Sequence, residues 1–402
     1  MKYTFLLFVA VLAGIVGGNT ALATTAANPQ ATHSLLPIRS EADLQRYMQT
    51  TPHGQSPLYL LPSGARKRFL SSLKFRQHGI GGFSFDDLQV YLTSAQIREV
   101  LALFGPDTLS YAQMIQGRKT SLTPAERDAP ESVLERKFDA LYIASVRSAP
   151  AKMKQITAAR YDAQFPAFQT TAAIHELDNN DLDLLYRAVD MATFALPDTR
   201  HLDDMRRDLV ELRQRGLATP SRISMYYSQL IAARELETAR ALIRTYPEAG
   251  LVALPPVQQA GNLTPGAPTV LRLSEDGHHL WHEAISLKVP LRIVVVAGCH
   301  FSVDAARAIH ADSALNKLFS QHAVWLEDQA QSPAATQDWN REFPDQPIYV
   351  AWENSQWSML DDWLIPTFYV FRHGKLVQEW SGWGDSGMKT LRQKLAAAGV
   401  RY

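Results

Sequence analysis

The apolar run Ile293, Val294, Val295, Val296, Ala297 and Gly298 ends at Cys299, which opens a segment, residues 299–309, of helical character. A short β-branched run of this kind predicts a buried strand, and a strand that feeds directly into a helix belongs to a layered α/β arrangement. The sulfur therefore sits where a strand ends and a helix begins. Unpaired backbone N–H groups and the positive end of the helix dipole favour thiolate over thiol there, which predicts a reactive cysteine. Cys299 is also the single cysteine in 402 residues, so no disulfide within the chain can occupy it.

A second element lies downstream. Trp363, Leu364, Ile365, Pro366 and Thr367 lead into the apolar run Phe368, Tyr369, Val370 and Phe371; His373, Gly374 and Lys375 form a turn, and Leu376 and Val377 start another strand. A strand, a C-x-x-S motif (Cys299 to Ser302) opening a helix, an Ile-Pro-Thr before a strand, a Gly-Lys turn and a last helix near 389–398 follow in an order that resembles the thioredoxin-like superfamily. The resemblance covers roughly the last third of the chain. It implies a thioredoxin-like α/β domain at residues 269–402, with a cis proline at Pro366. It also implies a nucleophilic site of Cys299, His300 and Ser302, and a client-contacting element of Ile365, Pro366 and Thr367.

Thiol chemistry on this motif has a defined limit. Dithiol oxidoreductases release a mixed disulfide with a second thiol three residues on, and Ser302 holds that position. A hydroxyl cannot resolve the adduct, so two-electron dithiol cycling within the chain is excluded. Three outcomes remain: resolution by client thiols, giving isomerisation; resolution by glutathione or a partner thiol; or a persistent adduct that retains a client protein. The expected partners are thus client thiols or disulfides. His300 favours the thiolate if protonated and close, or else faces solvent in the first helical turn; Ser302 either hydrogen-bonds the sulfur or caps the helix. Phe301 packs or meets a client. Two features depart from the superfamily: the central strand, residues 293–296, carries no carboxylate to shuttle protons, and Gly298 replaces the usual aromatic residue before the cysteine. These departures support a competing reading, a non-catalytic binding scaffold on a degenerate thioredoxin-like domain.

No cofactor motif occurs, and no metal site is expected. Of His278, His279 and His282, strand alternation puts 278 opposite 279. Asp178, Asn179, Asn180, Asp181 and Asp183 lack the glycine and terminal glutamate of a calcium loop and read as helix capping. Forty basic residues balance forty acidic ones, giving no electrostatic case for nucleic acid.

Residues 1–23 read as a signal peptide: Lys2, the apolar stretch 5–16, then Ala21, Leu22 and Ala23. Twelve apolar residues are too few to span a bilayer, so no stable membrane span is expected after cleavage, and the mature chain is expected to be periplasmic or secreted. Residues 24–40 read as a linker. Residues 41–248 read as an all-α domain: Thr93 to Gln96 forms a capping box ahead of Ile97, Val100, Leu101 and Phe104; Ser132 to Glu135 forms another; and Leu202, Met205, Leu209 and Leu212 make a stripe. Residues 221–233 and 235–246 look like one helical hairpin of a tetratricopeptide-type repeat, with no second copy at a fixed period. The Pro- and Gly-rich stretch 249–268 reads as a connector. Beyond it, strands are predicted at 270–273, 279–285, 291–297, 323–326, 348–351, 368–371 and 376–380.

Overall fold

The computed structural model describes residues 37–401 except 77, 78, 197, 198, 361 and 362; the signal-peptide reading falls on residues outside this set. The chain divides into two compact units, one ending at Met153 and the other beginning at Lys154. The first is helical, with one antiparallel pair, β1 (Lys74–Arg76) and β2 (Gly79–Gly81). The helix Ser94–Ala102 starts from the expected capping box: the Thr93 hydroxyl accepts from the Gln96 backbone while the Gln96 side chain accepts from the Thr93 backbone. Ile97, Val100, Leu101 and Phe104 are buried against Leu58, Phe69 and Leu88. At the edge of this core the fully buried Arg68 is ringed by Asp87, Glu135 and Asp139.

The second unit opens with helices and closes with a sheet. Asp178 caps the helix Asn179–Ala195 by accepting from Asp181 N–H, so the acidic run satisfies orphan donors at a helix start. The stripe Leu202, Met205, Leu209 and Leu212 is buried on the helix Thr199–Gln214. The hairpin is formed by Pro220–Ala232 and Leu236–Thr245. Its corner is turned by Arg234 at φ 62°.

The sheet comprises β3 (Val257–Gln259), β4 (Thr269–Leu273), β5 (Leu280–Ala284), β6 (Arg292–Val296), β7 (Ala323–Glu327), β8 (Ile348–Ala351), β9 (Thr367–Arg372) and β10 (Lys375–Ser381). Their order is β10-β9-β6-β7-β8-β4-β5-β3. The strands β6, β7 and β8 are parallel, and β9 runs antiparallel to β6 with β10 antiparallel to β9. On the far side β4 is antiparallel to both β8 and β5, and β3 pairs parallel to β5. The connector stretch 249–268 therefore contains a strand, which its Pro and Gly content did not predict.

Alternation along β6 sends Ile293 and Val295 to one face and Val294 and Val296 to the other. The first pair packs with Ala305, Ile309, Leu315, Phe319, Leu391 and Leu395. These come from the helices His300–Ala311, Ser313–His322 and Gly387–Ala397. The second pair packs with Leu287, Trp357 and Leu360, from a short 3-10 turn and loops. The sequence predicts helices on both faces; among the described residues the apolar cover of this second face is irregular chain. The helix Ser313–His322, capped by Asp312, is a further element the sequence reading did not separate. No described helix is long and apolar enough to cross a membrane.

Candidate functional site

The register of two strands builds the site. Because β6 and β9 are antiparallel with Val296 opposite Thr367, the residues just after Val296 must lie beside those just before Thr367. Cys299 and the Ile365–Pro366 pair are brought together in this way although 66 positions separate Cys299 from Ile365. The Ile365–Pro366 peptide bond is cis. The Cys299 thiol donates to the Ile365 carbonyl oxygen at 3.7 Å. Its Sγ also lies 3.5 Å from the Ser302 hydroxyl.

Cys299 is the N-cap of the helix His300–Ala311, in an extended conformation (φ −131°, ψ 170°) and with no side-chain capping bond of its own. Its carbonyl accepts from Ser302 N–H at 2.9 Å and Val303 N–H at 3.2 Å, which fixes the first turn. The sulfur residue is half-buried, so it has a solvent side. Ser302 is fully buried and turned toward the sulfur. Of its two expected roles, the structure gives it the contact with Sγ. His300 is exposed and its ring centroid lies 3.9 Å from that of Phe301. Phe301 is itself 45% exposed. Pro366 and Thr367 are buried; the Pro366 carbonyl accepts from Gly382 N–H at 2.8 Å, and the Thr367 and Ser381 hydroxyls pair at 2.8 Å. These two bonds tie the proline turn to β10.

One functional candidate escaped the sequence reading. The central strand lacks a carboxylate, as expected, but the neighbouring strand supplies one. Val296 is level with Leu326 on parallel β7, and Ala297 N–H donates to Leu326 carbonyl at 2.8 Å, so Glu327 arrives beside the turn that precedes the cysteine. A Cβ built on Gly298 would lie 3.4 Å from Glu327 Oε1. Gly298 has φ +133°, in the range that favours glycine. That conformation accounts for glycine at this position. Burial, reinforced by the charge of Asp328, raises the Glu327 carboxyl to about 8. The available signal was Glu327 and Asp328 closing the apolar run 323–326: the carboxyl ends of adjacent parallel strands lie together, and ligand sites gather there.

The histidines go elsewhere. His282 stacks on Trp352 at 4.0 Å and pairs with the Thr269 hydroxyl at 3.0 Å, while His279 lies 3.2 Å from the Gln258 amide. Among the described residues no group of three His, Cys, Asp or Glu side chains is arranged to hold a metal. Comparison of the chain with protein-family models, curated proteins and solved structures returns no match.

Proposed function

We propose that this is an exported thioredoxin-like protein, periplasmic or secreted, that forms mixed disulfides through Cys299 in thiol-disulfide exchange or isomerisation. The observation that carries the reading is the convergence of a half-buried cysteine at a helix start with the Ile365 carbonyl 3.7 Å from its sulfur. The strand order β10-β9-β6-β7 with two helices between parallel β6 and β7 supports it. So does the expected order of cysteine, helix, proline turn and terminal hairpin.

In the proposed step the Cys299 thiolate attacks one sulfur of a client disulfide. A bond forms between Sγ and that sulfur, the client S–S bond breaks, and the second client sulfur leaves as thiolate. A client thiolate then attacks the client sulfur of the adduct and frees Cys299, so the exchange is redox-neutral and needs no external oxidant. If glutathione instead attacks the Cys299 sulfur of the adduct, the client leaves with both its thiols reduced, and a second glutathione frees Cys299 as glutathione disulfide departs, which is the reductive variant. A carboxyl raised to about 8 next to Gly298 is matched to exchange protons with thiols near neutral pH. Ser302 steadies the sulfur without the capacity to displace it.

The test is intact-mass analysis of the protein after exposure to glutathione disulfide, with Cys299→Ala as control. One glutathionyl group on the wild type and none on the variant is the expected result. A chain that acquires no adduct, and whose cellular role survives Cys299→Ala, is instead a binding scaffold.

A further inference from the structure

The corner of the hairpin Pro220–Ala232 and Leu236–Thr245 is bound to the loop that follows Glu327. Arg234 is half-buried; its Nε donates to the Trp352 carbonyl at 2.7 Å and its Nη1 to the Ile231 carbonyl at 2.8 Å. Its Nη2 donates to the Ala351 carbonyl. One guanidinium thus joins the end of a helix to the end of β8. Beside it, Gln329 Nε2 donates to the Ala232 carbonyl at 2.9 Å.

Gln329 is locked to the same region of the sheet. Its N–H donates to Asn354 Oδ1 at 3.1 Å and its Oε1 accepts from Asn354 N–H at 2.6 Å. The Asn354 amide also donates to Asp328 Oδ2 at 2.6 Å. Two residues before Gln329 comes Glu327, whose Oε1 is 3.4 Å from where a Cβ on Gly298 would lie. The hydrogen-bonded track therefore runs from the helical corner through Gln329 and Asn354 to Asp328, the residue next to Glu327 in the chain.

We propose that Arg234 and Gln329 are positioning residues that hold Glu327 beneath Gly298, and so couple the helical hairpin to the reactivity of Cys299. Its consequence at sulfur rests on the exchange reading above; the hold on Glu327 does not. The groups that face this track are Glu327 and Asp328 at the end of β7, Arg234 at the helical corner, Glu353 after β8, and His282 of β5 stacked on Trp352. Arg234 interacts with both Asp328 and Glu353, so removal of its charge would confound any titration. Charge-preserving variants avoid this. Lysine cannot donate along the three directions the guanidinium serves, and Gln329→Ala changes no charge.

The experiment uses the full chain as wild type, Arg234→Lys and Gln329→Ala, with Glu327→Gln to identify the Glu327 signal. The Glu327 carboxyl is titrated by carbon NMR, and the alkylation rate of Cys299 by iodoacetamide is followed against pH. Loosening the loop admits more water to the partly accessible Glu327, so in both variants its midpoint should fall by about half a pH unit or more. The inflection of the alkylation profile should move with it, while circular dichroism stays that of the wild type. If Arg234→Lys does not fold, Gln329→Ala decides. An unmoved Glu327 midpoint in Gln329→Ala overturns the tether, and a moved midpoint with an unmoved alkylation profile overturns the coupling to sulfur. Should wild-type Cys299 take up no glutathionyl group while the Glu327 midpoint still shifts, the exchange reading fails and the tether stands.

Discussion

Glu327 lies against Gly298, its Oε1 3.4 Å from the point a Cβ on that glycine would occupy, so the residue before Cys299 meets a carboxyl at the end of the neighbouring strand. At φ +133° an L side chain is disfavoured whatever the space. Gly298→Ala should therefore cost about 1–3 kcal/mol of stability and displace Cys299 from Ile365. Thermal unfolding and glutathionylation rate check this: a variant equal to the wild type in both would show that the turn tolerates a side chain.

The carboxyl itself predicts a pH dependence. Glu327 rises from an ordinary 4.5 to about 8 in the fold, so between those values the folded chain holds one proton that the unfolded chain releases. Its contribution to stability is fully present below about pH 4.5 and is lost as pH rises through about 8. The local slope is at most about −1.4 kcal/mol per pH unit, reduced because the side chain is partly accessible. Glu327→Gln, which keeps the shape without the titration, should flatten the stability profile over this window and raise stability at pH 8 relative to the wild type. Chemical denaturation at pH 5 and pH 8 measures it; an identical difference between the two pH values in both proteins would exclude the shift.

Ser302 offers the complementary test at sulfur. Its hydroxyl is 3.5 Å from Cys299 Sγ, within range for a thiol at this position to attack an adduct. Ser302→Cys should convert a long-lived mixed disulfide into a transient one, which resolves to an internal disulfide between Cys299 and the introduced thiol with release of the client thiol. Ser302→Ala should keep the adduct. Non-reducing electrophoresis with intact mass distinguishes the outcomes, and a persistent adduct in Ser302→Cys would mean that the pair is misaligned for exchange.

How far these features were legible in the sequence depends on their range. The strand-cysteine-helix unit and the later strands could be read because each is a local apolar period with its own punctuation, and Ile293 to Val296 are buried as that period requires. Capping at Thr93 and Asp178 was readable for the same reason. Glu327 was not, because its proximity to Gly298 arises from the parallel register of β6 on β7, which no single segment encodes. Nor was Arg234 distinguishable from any surface arginine until the end of β8 was seen against the helical corner. Strand β3 was hidden inside a proline-rich stretch because three residues show too little alternation to signal a strand.

The first unit carries its own test, around Arg68. The guanidinium is fully buried and pairs with Asp87 at 3.0 Å, Asp139 at 2.6 Å and Glu135 at 3.3 Å, while Lys67 reaches Asp139 from the rim at 3.1 Å. Burial holds Glu135 and Asp139 above the usual carboxylate range even with Arg68 beside them. Arg68→Met removes the cation and leaves carboxylates in the interior, a loss of about 3–5 kcal/mol near neutral pH. Without Arg68 the two carboxyls should be raised further, so acid relieves the variant by protonating them: the gap in unfolding free energy between wild type and variant should narrow from pH 7 to pH 5. Denaturant unfolding at both values gives that gap directly. A gap independent of pH would assign the loss to packing around the methionine instead of to stranded charge.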